Sequence, residues 1–130
     1  MDIQRHNCEP LGPPLGPYVH SVTHQNTLYT SGLTAYGTEA QQGTICEQAE
    51  AIFTQLELIA EQQGTSIVNL VKVTIFVTDL TDIEMLRNFL FEYYGDNLPA
   101  SSLVKVDALF AADLRIEIEA TVALARDSNA

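Results

Sequence analysis

The strongest chemical signal in this sequence is a pair of carboxylates on one short segment. Glu117 and Glu119 alternate with Ile116, Ile118 and Ala120. In an extended chain alternate residues share a face, which sets the two carboxyl groups about 6.6 Å apart. Burial or a neighbouring like charge raises a carboxyl pKa and lets it accept or deliver a proton near neutrality. The same residues beside Arg115 also read as a solvated, ion-paired strand face. His6, His20 and His24 are the other titratable candidates. On a strand, His20 and His24 would lie about 13 Å apart, so they share a metal only if a turn folds them together. Surface or cleft histidines are the plainer reading. Ser31, Ser101 and Ser102 have no evident His–Asp partners, and no GxSxG, HExxH or GxxxxGK[ST] run is present. Cys8 and Cys46 form no CxxC pair and read as reduced thiols. A metal site is therefore not expected from these residues.

The elements that must position these residues follow from periodicity. Residues 1–17 read as an irregular N-terminal arm, because Pro10, Gly12, Pro13, Pro14, Gly16 and Pro17 crowd it. Val19–Thr23 and Thr27–Gly32 read as two strands joined by a turn at His24–Asn26. Thr44–Gly64 reads as a helix. Thr44 and Glu47 form a capping box, Ile45, Ala49, Ile52, Phe53, Leu56, Ile59 and Ala60 form one apolar stripe, and Gly64 supplies the stop. Leu70–Val77 is nearly continuous in β-branched and apolar residues. A second helix is expected over Asp82–Tyr94, with a capping box from Thr81 and Glu84 and a stop at Gly95. Strands are expected at Leu103–Val106 and Leu114–Leu124, and residues 126–130 as a frayed tail.

The order β-β-α-β-α-β-β predicts an α+β, two-layer domain with both helices on one face of a mixed sheet. Apolar residues at every second position of the last strand suggest a second apolar sheet face, and hence self-association through it.

Composition bounds the function. The 130 residues, 46% apolar and 18% charged, fit a single globular domain spanning 1–130. Six Lys and Arg face 17 Asp and Glu, for a net charge of −11. Such a surface repels nucleic acid and anionic membranes. No apolar run reaches spanning length and no signal-peptide pattern opens the chain, so the expected compartment is the cytoplasm.

Taken together, several motifs resemble the RidA/YjgF family of small proteins. They are Gly16-Pro17-Tyr18 with Val19 and Val22, Leu28-Tyr29-Thr30-Ser31-Gly32, and the block Val71-Lys72-Val73-Thr74-Ile75-Phe76-Val77-Thr78-Asp79-Leu80. Asn88 with Tyr93-Tyr94, Pro99-Ala100, and Ile116-Glu117-Ile118-Glu119-Ala120 complete the set, which runs from about residue 10 to 125. The resemblance implies a chorismate-mutase-like fold and a homotrimer with a central β-barrel. It also implies small-metabolite binding in clefts between subunits and cofactor-free hydrolysis of imines and enamines. By that resemblance Tyr18 closes over the substrate, Ser31 and Gly32 wall the cleft, Asn88 supports it, and Glu117 orients or activates water.

One position departs from the pattern. Where the family's deaminases read Pro-Ala-Arg-Ser, this chain reads Pro99-Ala100-Ser101-Ser102. The family arginine forks onto the substrate carboxylate, whereas Ser101 offers one neutral donor. Arg115, and after it Lys105, are the candidate substitutes as anion anchor. The alternatives are therefore an imine or enamine hydrolase whose substrate lacks that carboxylate, and a non-catalytic trimer that binds and reports a small metabolite. An endoribonuclease or translation inhibitor, an older label on the family, sits poorly with a net charge that trimerisation would triple.

Overall fold

The computed structural model describes residues 1–124; the tail expected at 126–130 lies outside them. Six strands and two helices form two layers. In chain order they are β1 (Ile3–His6), β2 (Ser21–His24), β3 (Thr27–Thr30), α1 (Ile45–Gln62), β4 (Leu70–Val77), α2 (Ile83–Tyr94), β5 (Ala100–Lys105) and β6 (Ile116–Ala123). The sheet runs β1-β2-β3-β6-β4-β5. β4 and β5 are parallel, and the other neighbours are antiparallel.

The core is one face of this sheet closed by the helices. Leu70, Val73, Ile75 and Val77 of β4 and Ile116, Ile118, Ala120 and Val122 of β6 are buried. They pack with Ile52, Phe53, Leu56 and Ile59 of α1 and Leu86 of α2. Each fully buried aliphatic or aromatic side chain contributes about 1.5–3 kcal/mol. Buried Gln48 fastens α1 to the segment entering β6: its amide donates to Asp113 O at 2.9 Å and accepts from Arg115 N–H at 2.8 Å. A register shift between Leu70 and Lys72 turns Val71 outward, so the apolar alternation of β4 stays aimed at the helices.

The helix ends show how local signals fared. Thr44 caps α1 as the spacing predicts: Glu47 N–H donates to Thr44 Oγ1 at 3.1 Å and Thr44 N–H to Glu47 Oε1 at 2.8 Å. Gly64, at φ 75°, and Gly95, at φ 59°, take the left-handed conformation that ends each helix. The second capping box does not form. The N-cap of α2 is Asp82, without a side-chain cap bond. Thr81 instead donates its N–H to Asp79 Oδ1 at 3.0 Å, an Asx turn that takes up the residue expected to cap.

Two further expectations change. The N-terminal arm is not irregular throughout: Ile3–His6 pairs antiparallel with β2, Ile3 opposite His24. Those four residues carry no alternation, so the edge of β2 supplies the order that their sequence lacks. The β2–β3 turn falls within His24–Asn26 as expected, with the positive φ (56°) on Gln25. The apolar alternation of the last strand does not face away from the helices, although by register Val22, Tyr29, Phe76 and Val104 fall on that side. The alternating apolar residues of β6 are the ones buried under the helices. The opposite face of the central strands carries Lys72, Thr74, Phe76, Glu117, Glu119 and Thr121.

Replacing Thr44 by Ala is expected to cost about 1 kcal/mol in urea unfolding. Thr81→Ala is expected to stay within about 0.5 kcal/mol. Equal costs would show that Thr81 caps α2 after all.

Candidate functional site

The site begins with a break in a strand ladder. β3 pairs with β6 from Thr27 to Tyr29, and then the ladder opens. Ala120 N–H donates to the Thr30 hydroxyl at 3.0 Å instead of to a backbone carbonyl. Pairing resumes at Leu33 and Ile118, which exchange bonds of 2.8 and 3.0 Å. Ser31 and Gly32 occupy the gap. Ser31 is held on both sides, its Oγ donating to Val19 O at 2.5 Å and its N–H to His20 O at 3.1 Å.

Gly32 has a steric reason to be glycine. A Cβ there would stand 2.3 Å from Glu117 Oε2 and 2.8 Å from Cδ. The carboxylate thus lies directly against the bare backbone. Glu117 is half-buried and forms no ion pair among the described residues. Burial, and secondarily the charge of Glu119, pushes its carboxyl above the usual range. Glu119 itself is exposed.

Tyr18, Ser31 and Gly32 line one pocket together with Leu33, Tyr36, Phe110 and residues of the arm. The arm is held there by side chains of β2. Cys8 N–H donates to His20 Nδ1 at 2.8 Å, His20 N–H to Asn7 Oδ1 at 3.3 Å, and His6 Nε2 lies 2.9 Å from Thr23 Oγ1. His20 is buried, and desolvation lowers its pKa, so at neutral pH the ring is uncharged. With Nδ1 accepting, its proton sits on Nε2. Sequence reasoning had no means of separating His20 from His6 and His24, because strand pairing decides which of them is enclosed. Both cysteines are free, Cys8 buried and Cys46 half-buried. Among the described residues no three His, Cys, Asp or Glu side chains gather as a metal would require.

The other expected site residues lie elsewhere on the protomer. Ser101 pairs with Val73 on the edge strand β5 and opens on a shallow pocket lined by Arg87, Leu90, Phe91, Tyr94, Leu98 and Pro99. Asn88 is exposed and lies outside that pocket. One residue along an α-helix is a rotation of about 100°, and that step gives the place beside Ser101 to Arg87. The helical spacing of Arg87, Leu90, Phe91 and Tyr94 was the available signal. Arg115 shares a small cleft with Ile45, Thr78, Asp79 and Asp82. Bonds from Thr81 lower the Asp79 pKa most, and the charges of Arg115 and Lys105 add to the effect. Arg115 and Lys105 are thus near enough for their charges to reach Asp79, without an ion pair to it among the described residues.

The description Endoribonuclease L-PSP belongs to a family that matches residues 10–124, and the chain belongs to that family, also known as RidA/YjgF. It is 33% identical to the 2-iminobutanoate/2-iminopropanoate deaminase of Dermatophagoides farinae over 95% of this chain and 99% of the relative. The human protein of the same description is 30% identical, over 82% of this chain and 79% of its own. A yeast protein of known crystal structure superposes with a TM-score of 0.88 at 25% identity, covering 95% of this chain and all 100% of its own. A Mycobacterium tuberculosis member of the YjgF family gives 0.74 at 26% identity, covering 82% and 86%. The fold is thus the α+β, chorismate-mutase-like fold of that family. No described helix is long and apolar enough to cross a membrane.

Two predictions follow from the Glu117 environment. Gly32→Ala is expected to move the Glu117 carboxylate off the backbone and to cost no more than about 1 kcal/mol in urea unfolding, because the atoms the new methyl meets belong to that flexible side chain. Glu117→Gln tests the raised pKa. Ionised Glu117 is penalised in the fold and not in the unfolded chain, so the penalty is complete above the folded pKa and vanishes below the unfolded one. The variant should therefore unfold at higher urea than the parent at pH 8, with the gap closing towards about pH 4. A gap that widens as pH falls would refute the assignment.

Proposed function

We propose that this chain hydrolyses a small imine or enamine to a carbonyl compound and ammonia. The catalytic clefts would form between the subunits of a homotrimer whose sheets line a central barrel. The observation that carries the reading is Glu117: a half-buried carboxylate held against Gly32, raised in pKa and without a cation to neutralise it. The relatives named as 2-iminobutanoate/2-iminopropanoate deaminases support the reaction class.

In this mechanism water adds to the electrophilic carbon of the protonated imine. Glu117 accepts the water proton as the C–O bond forms. The resulting carbinolamine takes that proton from Glu117 on nitrogen, the C–N bond breaks with its electron pair leaving on ammonia, and the hydroxyl passes its proton back to Glu117, and from there to the departing ammonia, as C=O forms. No step calls for a metal or an organic cofactor. Tyr18 would close over the bound molecule, with Ser31 and Gly32 as one wall and Ser101 and Asn88 contributed from the neighbouring subunit.

A non-catalytic, metabolite-binding trimer is the second reading. It is favoured by one observation: Ser101, where the family's deaminases carry arginine, offers no charge. Ribonuclease action has less support, since the net charge of −11 opposes phosphate binding.

The deciding assay generates fresh imines with an amino-acid oxidase and traps survivors with semicarbazide. The parent protein is expected to suppress trapping, and Glu117→Ala to lower the rate by roughly 10²–10⁴-fold. Full activity in Glu117→Ala would overturn the mechanism. No suppression by the parent or by Ser101→Arg would favour the binding trimer. A monomer in sedimentation would remove the intersubunit cleft from either reading.

A further inference from the structure

The pocket under the N-terminal arm holds a buried donor that no step of the proposed hydrolysis uses. His20 is 7% exposed and lies on the wall of that pocket with Tyr18, Ser31 and Gly32. Its Nδ1 accepts the Cys8 N–H, so the ring proton is on Nε2. Nε2 has no hydrogen-bond partner among the described residues and is not sealed from solvent. The opening on which the ring borders is this pocket. Burial disfavours protonation of the ring, so the donor is uncharged. Other polar groups of the wall are already engaged. The Ser31 hydroxyl donates to Val19 O, and the Gln55 amide to Thr34 O at 2.8 Å.

The mouth of the pocket is aromatic. Tyr36 and Phe110 meet with ring centroids 5.0 Å apart and planes at 56°. They remain 46% and 62% exposed. Rings packed on each other but left in water offer apolar area that a further ring can cover, with a gain beyond the area alone. Among the described residues no lysine, arginine, aspartate or glutamate lines the pocket. An anion entering it would lose hydration without meeting an opposite charge, and the Glu117 carboxylate against Gly32 would repel it. The enclosed space is about 90 Å³. That is room for a small head group, with the rest of a ligand lying on the rings at the mouth.

We propose that His20, Tyr36 and Phe110 determine the specificity of this site, and that its ligand joins an aromatic ring to an uncharged carbonyl head of the amide type. His20 Nε2–H donates to the carbonyl oxygen, and the ligand ring packs on Tyr36 and Phe110. The inference deepens the hydrolase reading by naming the substrate class: an aryl-bearing imino amide rather than an imino acid. Such a substrate has no carboxylate for position 101 to hold, which agrees with the serine found there. The inference rests on the hydrolase reading for the reaction and not for the binding.

The test is NMR titration of the full chain with 3-phenylpropanamide, with 3-phenylpropanoate and butanamide as controls and the imine-trapping assay alongside. The aryl amide is expected to bind about tenfold more tightly than either control. His20→Asn keeps an acceptor near the Nδ1 position and removes the Nε2 donor. It is expected to weaken amide binding about three- to tenfold, as loss of one neutral hydrogen bond does. His20→Gln, which carries an amide N–H to the Nε2 position, is expected to stay within about twofold of the parent. Phe110→Ala, at an exposed position, is expected to weaken 3-phenylpropanamide about tenfold and to leave butanamide unchanged. Urea unfolding checks the fold of each variant, and Phe110→Ala keeps the test open if His20→Asn does not fold. Equal binding of acid and amide, unchanged binding in Phe110→Ala or in folded His20→Asn, or no binding by the parent would each overturn the inference. A Phe110→Ala variant that dissociates into monomers with its ligand affinity unchanged would assign the ring pair to a contact between copies instead. Glu117→Ala keeps the two proposals apart: it should bind the amide as the parent does while losing hydrolysis. If no imine is hydrolysed but amide binding still depends on His20 and Phe110, the hydrolase reading fails and the specificity stands. If imines are hydrolysed and the amide does not bind, the reverse holds.

Discussion

The contact between Gly32 and Glu117 is the constraint around which the candidate site is arranged. A carboxylate lies where a methyl group has no room. That proximity is possible only because the β3–β6 ladder opens for two residues and closes again at Leu33 and Ile118. The Thr30 hydroxyl satisfies the amide that the opening would otherwise leave unpaired. The break is therefore stabilised by hydrogen bonds rather than by strain. The result is a base with reduced hydration and a raised pKa, pressed against backbone instead of against a cation.

Around that contact the chain spends polar interactions on placement. The arm carries little apolar surface of its own, and its order comes from pairing with β2 and from the bonds at Cys8, Asn7 and His6. Uncharged His20 can accept the Cys8 amide because burial disfavours its protonation. After β4, the Asx turn at Asp79 takes up the Thr81 N–H, and α2 starts at Asp82 without a side-chain cap bond.

Much of the fold was legible in the residues. β4 matched its expected span, α1 matched to within the ends of its cap, and Glu117 was singled out before any contact was known. These are strong signals because each depends on neighbours close in sequence: alternation, helical stripe, capping box. The weak points share a cause too. β1 has no pattern and is ordered by its partner. The inward direction of β6 was misassigned because alternation gives two faces without saying which one the helices cover. That Arg87, and not Asn88, lines the pocket beside Ser101 depends on helix phase relative to β5, which packing across the layer sets.

The sequence by itself determined the class of element at most positions, the acidic surface, and the carboxylate that any water-activating chemistry here would use. These are properties of local spacing and of composition. Only the tertiary structure decided which histidine is enclosed, where Arg115 lies relative to Asp79, and which residues line the pocket beside Ser101. Each of those outcomes depends on groups brought together from distant segments, where a single residue of register or 100° of helix phase exchanges one side chain for another.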